Sequence, residues 1–302
     1  MMFDFANLRK TGLLGISSVI FPSLFLAASD AAVINYGATY SNSTWTNENT
    51  GRLTCSLVHR IPDYGEIRFV SKAGGVQNLL MELLPKRKAA RIQNVTVRSR
   101  SPVFRPGYPD EKIGILKYYK NFSGEVDEKT AWNIASDLER GRPVVFSYHD
   151  WYFKDNSVDL TVSPIGYKKA YENFLGCMNN LLPFSFEDIS FTVLSYERDS
   201  GNLTPTSQDK LSRIAEYLKE DKTVTRLQIN AYTDSYGTAS ENLKTSNERA
   251  EQIKKIIEQT GVDASRIETA GFGEKHHVAP NRDEEGRQHN RRIIISIKNE
   301  EK

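Results

Sequence analysis

Cysteine is scarce: Cys55 and Cys177 are the only two in 302 residues. At most one intramolecular disulfide is possible. No G-x-S-x-G, H-E-x-x-H or P-loop pattern occurs, so the chain carries no catalytic constellation of those kinds. Repeats, heptads and low-complexity tracts are also missing. The net charge is only +2, with 26% charged residues. That balance lacks the concentrated basic face of a nucleic-acid binder. Long apolar runs are confined to one stretch near the N-terminus.

That stretch is Thr11 to Ala28, preceded by Arg9 and Lys10 and followed by small residues from Ser29 to Ala32. A basic segment, an apolar segment and a small-residue exit together predict a secretory signal peptide over residues 1–32. An uncleaved anchor is the alternative, because roughly 18 apolar residues approach a membrane span. Pro22 and the small exit residues favour removal, which leaves no membrane span. No cysteine stands at the exit, which argues against a lipid anchor. An even cysteine count in an exported chain predicts a Cys55–Cys177 disulfide, with two buried free thiols as the alternative. The bridge would close most of the N-terminal half, worth on the order of 4–5 kcal/mol.

Residues 33–183 read as a β-rich domain, barrel- or sandwich-like, with two helices. Leu53 to Arg60, Glu66 to Val70, Gln77 to Leu84 and Arg91 to Arg98 alternate as strands between Pro and Gly signals. Glu128 to Arg140 and Tyr167 to Leu182 carry helical patterns, the second ended by Pro183. The strands lack the clean lipid face of a membrane barrel. Over residues 184–302 the period changes. Ile189, Phe191 and Val193 predict a strand, and Leu211, Ile214, Ala215 and Leu218 a helix behind Thr204 and Pro205. Leu227, Ile229 and Ala231 predict a strand; Leu243, Ala250, Ile253 and Ile257 a helix stopped by Gly261. "RIETAG" and "RRIIISIK" supply two more strands. The whole is α+β, ending in a βαβαββ sandwich on a mixed sheet.

Asp234 falls just past the carboxyl end of a strand, where open α/β sheets place ligands. Arg249 lies in the following helix. A returning loop lets both side chains face one crevice, where guanidinium and carboxylate would suit a zwitterion. A plain structural salt bridge fits the same spacing, and spacing alone leaves the two readings open.

"TDSYGTASENLKTSNERAEQI", "GVDASRI", "AGFGE", Asn281, Gly286–Arg287 and "NRRIIISI" resemble, in order, the OmpA-like peptidoglycan-binding domain. The resemblance implies that Asp234 and Arg249 bind the diaminopimelate of the peptide stem. It places Thr233, Gly237 and Asn242 at loop positions and Asn290–Arg291 in the "NRR" element. Thr245 stands where the family usually has leucine, and "SNER" replaces its more usual pattern, neither of them at the two ligand positions. Further upstream, "CSLVHRIPDYGEIRF", "LKYYKNFSGEV", "TAWNIASDLERGRPVVFSYHDW" and "LLPFSFEDISFTVLSYERDSGNLT" resemble the MotY family, T-ring proteins of sodium-driven polar flagellar motors. This resemblance implies a periplasmic protein whose N-terminal domain meets the flagellar basal body and a MotX companion. Its C-terminal domain would hold the wall, and the ring would help seat stator units. A wall-modifying enzyme that uses the C-terminal domain for anchoring is the rival class; a stator subunit would need a retained membrane helix with an ion-carrying acid.

His276, His277 and His289 share a polar segment without a ligand framework and read as a solvated loop, so no metal or cofactor is expected. The His-Asp pair in "YHDW" is equally isolated. Lys86, Arg87 and Lys88 read as a solvated turn that could also face an acidic partner. Trp45, Trp132 and Trp151 read as core or interface anchors.

Overall fold

The computed structural model describes residues 32–299 apart from 77, 103, 104, 106, 108, 154 and 199; residues 1–31, where the signal-peptide expectation falls, lie outside the described residues. The first half supplies ten strands: β1 Val33–Gly37, β2 Trp45–Thr50, β3 Thr54–Ile61, β4 Gly65–Lys72, β5 Leu80–Pro85, β6 Gln93–Ser99, β7 Glu111–Tyr118, β8 Gly124–Glu125, β9 Val144–His149 and β10 Ser157–Val162. They form one sheet in the order β1-β10-β9-β6-β7-β8-β5-β4-β3-β2. It is a curled half-barrel and not a two-sheet sandwich, antiparallel except where β1 runs parallel to β10. Six of its strands carry no expectation from periodicity. Short, half-exposed edge strands such as β2 leave too little alternation to register.

Two helices lie against this sheet, α1 Glu128–Glu139 and α2 Tyr167–Met178. Asp127 caps the first by accepting from Thr130 N–H at 2.9 Å. The expected helix to Leu182 stops at Met178, because Leu182 leaves to donate its N–H to the Arg52 carbonyl at 2.9 Å. The expected strand from Gln77 starts only at Leu80. Trp45 sits in the core, while Trp132 and Trp151 pack against it. Tyr64, Tyr118 and Tyr148 share hydroxyl hydrogen bonds of 2.7 and 3.1 Å, which satisfy three buried polar groups among one another. The expected bridge is present: fully buried Cys55 on β3 is joined to Cys177 on α2, 122 residues away.

His59 on β3 is fully buried and stacked on Trp45 at 4.6 Å. Its Nδ1–H donates to the Thr44 carbonyl at 2.7 Å, while Nε2 has no partner. Burial lowers its pKa, against a smaller opposing pull from that carbonyl. A lowered folded pKa means the unfolded chain takes the proton first. Stability from this site is therefore complete above about pH 6.5 and is lost as pH falls from there toward the folded pKa. Thermal melts between pH 7.5 and 5.5 should show a decline that His59→Phe flattens; equal slopes for both proteins would remove His59 as its source.

The second half begins with α3 Phe186–Ile189, then β11 Phe191–Ser195, α4 Pro205–Glu220, β12 Val224–Tyr232, α5 Ala239–Glu258, a 3-10 turn Ala264–Arg266, β13 Ile267–Gly271, α6 Glu284–Asn290 and β14 Arg292–Asn299. Ile189, expected in a strand, instead ends α3. The four-stranded mixed sheet runs β11-β14-β12-β13, with β12 parallel to β13. Thr204 caps α4 and Pro205 takes its first position. Thr238 and Glu241 form a reciprocal capping box on α5. Leu243 is 47% exposed, so it belongs to the outer face of α5 and not to the core stripe of Ala250, Ile253 and Ile257.

The two cores meet. Leu53, from the turn between β2 and β3, packs in the second hydrophobic cluster with Leu182 and Phe184. Beside it, Arg52 pairs with Glu216 at 2.5 Å and its N–H donates to Glu220 at 3.2 Å. That ion pair is well solvated and adds little; the buried leucine carries the contact. Leu53→Ala should cost about 2–3 kcal/mol and lower the melting of the C-terminal half, read by tyrosine fluorescence or hydrogen exchange in α4. A loss confined to the N-terminal half would contradict this packing.

Candidate functional site

A crevice of about 390 Å³ opens at the carboxyl end of β12. Its walls come from three places: Thr233, Asp234 and Tyr236 after β12; Asn242, Thr245 and Arg249 on α5; and Glu284, Arg287 and Arg291 in and after α6. The local sequence dictates this convergence. β12 ends at Tyr232, Gly237 adopts φ of 96°, and the capping box then starts α5. Residues 242, 245 and 249 follow at three- and four-residue intervals, so they share a face.

Asp234 and Arg249 do line the same crevice, but they are not each other's partner. Asp234 is buried and accepts from the Tyr236 N–H at 3.0 Å and from Arg291 Nη1 at 2.6 Å. Arg291 also donates to Glu284 and Gln288. Burial works against the Arg291 charge, but its bonds to Glu284 and Asp234 outweigh it and raise the pKa. Glu284, bonded by Arg291 and Arg287, is held below the usual carboxylate range. The structural salt bridge therefore exists with a different arginine. Arg249 stands over the Tyr196 ring at 4.5 Å and, among the described residues, makes no ion pair or hydrogen bond. Its guanidinium is held by a ring face alone, with its N–H edges unused.

The other expected residues divide. Thr233 and Asn242 line the crevice; the Thr233 hydroxyl is buried without a partner, and Asn242 donates to Glu274 at 2.8 Å. Gly237 shapes the turn and does not line it. Asn290 is fully buried and fastens the neighbouring loop: Oδ1 accepts from Val278 and Ala279 N–H, and Nδ2 donates to the Ala279 carbonyl and to Asn281. Thr245, noted from the sequence only as a departure from the family's usual leucine, lies in the crevice wall. Glu284 and Tyr196 carry no expectation from the sequence and Arg287 only a place in the family motif; the α6 segment reads there as loop. Its signal was available: Asp283 caps it, accepting from Gly286 N–H at 2.7 Å, with acids in the first turn and Arg287 and His289 in the last. Among the described residues no group of histidine, cysteine or carboxylate side chains could hold a metal.

Across its walls the crevice sets three guanidiniums against two carboxylates. The two carboxylates are bonded by Arg291 and Arg287, which leaves Arg249 as the guanidinium open to an anionic group.

Comparison with known proteins gives two family matches, MotY N-terminal domain over residues 36–183 and OmpA family over residues 195–291. The chain is 38% identical over 284 residues to the sodium-type flagellar protein MotY of Vibrio parahaemolyticus serotype O3:K6, covering 93% of this chain and 97% of that one. The probable lipoprotein YiaD of Escherichia coli is 35% identical over 104 residues, 34% of this chain and 47% of its own. Among solved structures, the peptidoglycan-associated lipoprotein of Burkholderia pseudomallei matches 35% of this chain and 89% of its own at 27% identity, with a TM-score of 0.33. No helix among the described residues is long and apolar enough to cross a membrane. With a relative this similar along nearly its whole length and both domain matches in order, the chain belongs to the MotY family of flagellar proteins and carries an OmpA-family domain.

Proposed function

We propose that the protein is a non-enzymatic, periplasmic component of a flagellar motor ring that grips peptidoglycan through the crevice after β12. Residues 33–183 attach to the basal body, residues 184–302 hold the wall, and the ring helps seat stator units. The observation that carries this reading is the unpaired guanidinium of Arg249 in a crevice that also contains Asp234. A diaminopimelate centre bears one carboxylate and one ammonium. Its carboxylate would take the Arg249 fork. The ammonium would take lone pairs of Asp234 left over after Tyr236 and Arg291, since a carboxylate offers about four such sites. The Thr233 hydroxyl, buried and unpartnered, would gain a partner on binding. Co-sedimentation of the purified protein with sacculi, competed by free diaminopimelate, tests the reading. Binding to sacculi that free diaminopimelate does not displace would reject this ligand.

A further inference from the structure

Three loops at one end of the half-barrel are tied to one another. The Asn121 N–H donates to the Ala89 carbonyl at 2.9 Å, the Tyr152 hydroxyl to the Lys88 carbonyl at 3.3 Å, and Arg91 to the Asp150 carbonyl at 3.3 Å. The surface they make is basic. Lys86, Arg87, Lys88 and Arg91 come from the loop between β5 and β6, Lys117 from β7 and Lys120 from the turn after it. None of the six forms an ion pair among the described residues, whereas Arg68, Arg100 and Arg142 elsewhere on the same domain all do.

Exposed aromatics stand among these charges. Arg87 lies over the Tyr152 ring at 4.2 Å and Lys117 over the Tyr119 ring at 4.9 Å. Phe122 and Phe153 are 69% and 62% exposed. The apolar part extends onto the sheet itself. Val95, Val97, Leu116 and Tyr118 point inward, so Ile115 and Lys117 point outward; Ile92 and Tyr119 continue that outward register just beyond β6 and β7. Ile92 is 63% exposed. An exposed apolar patch ringed by unpaired cations marks an interaction surface, and aromatic and arginine side chains are the groups that anchor protein interfaces.

We infer that this end of the N-terminal domain docks an acidic face of a partner protein. Six unpaired cations set the sign of the partner's charge. A protein is favoured over an anionic bilayer because the apolar residues run along a sheet face. From the loop aromatics the patch continues over Ile92, Ile115 and Tyr119 along the pleated sheet, a contoured face that a folded partner can cover. The inference refines the attachment role proposed for residues 33–183 and rests on it.

The test places a photo-crosslinking amino acid at Phe122, and separately at Ile92, in the full chain expressed in a flagellated host lacking its own copy. The expected result is a protein adduct whose crosslinked peptide, mapped by mass spectrometry, is rich in Asp and Glu. Combining the probe with Lys86→Glu, Arg87→Glu and Lys88→Glu should cut its yield at least tenfold. Lys117→Glu with Lys120→Glu serves as a second variant should the first fail to fold, and unchanged melting qualifies either. No adduct at either position, a phospholipid adduct, a peptide without acidic character, or a yield indifferent to charge reversal would each overturn the inference. Co-sedimentation with purified hook–basal bodies separates the two levels. Attachment retained without an adduct condemns the patch alone; attachment absent in the unmodified chain condemns the role itself.

Discussion

Arg249→Lys weakens binding to purified sacculi about tenfold or more while leaving stability within about 0.5 kcal/mol. The variant keeps a cation over Tyr196, so the ring contact survives. What it removes is the two-pronged fork, and an ammonium cannot replace two parallel N–H bonds to a carboxylate. Arg249→Ala removes both and should lose about 1.5–3 kcal/mol of binding, with a modest stability cost from the lost ring contact. Asp234→Asn behaves differently, because Asp234 already holds Arg291 at 2.6 Å in a largely buried pair. That variant should lose binding and also about 1–2 kcal/mol of stability, softened because Arg291 keeps Glu284 and Gln288. Melting curves and sacculus co-sedimentation on the same preparations distinguish the effects. A folded Arg249→Lys protein that binds at full strength would sink the clamp. If Arg249 variants lost binding only in proportion to unfolding, the arginine would be structural.

Replacing Cys55 and Cys177 together by alanine lowers stability by about 2–5 kcal/mol. The bridge spans 122 residues of sequence, so its loss returns much freedom to the unfolded chain. It also fastens α2 across β3, where the Cys55 side chain is fully buried. Alanine leaves no buried polar group but does leave space, which adds to the cost. Sacculus binding per folded molecule should not change, since the crevice lies in the other core. Urea unfolding of the oxidised protein and the double variant gives the difference; superimposable curves would show that the bridge contributes nothing. Fluorescence of the N-terminal tryptophans should report the loss first, because Trp45, Trp132 and Trp151 all pack in or against that core.

Much of the C-terminal half was legible from residue order. Caps and stops act over a few residues, so Thr204, Pro205 and the start of α4 could be read directly. Alternation of Leu227, Ile229 and Ala231 marked β12, which buries these side chains on one face. The β-rich half was less legible. Four strands of eight or fewer residues announced themselves, and six did not, since pairing across a curled sheet supplies stability that local pattern does not record. The direction of Leu243 was misread for a related reason: α5 contacts the sheet through only part of its surface, and a leucine outside that stripe looks the same in sequence.

By itself the amino-acid order determined the two-part architecture and the placing of Asp234 and Arg249 on one strand–loop–helix unit. These depend on periodicity, spacing and turn chemistry, all of which are local. Only the tertiary structure decided which arginine neutralises Asp234. Arg291 lies 57 residues away and reaches the aspartate because α6 folds over the end of β12, leaving Arg249 to Tyr196. It likewise decided that Leu53 enters the second core and that separate loops pool their charges at one end of the half-barrel. Ion pairing and burial depend on distance in space, and a guanidinium pairs with whichever carboxylate the fold brings within about 4 Å.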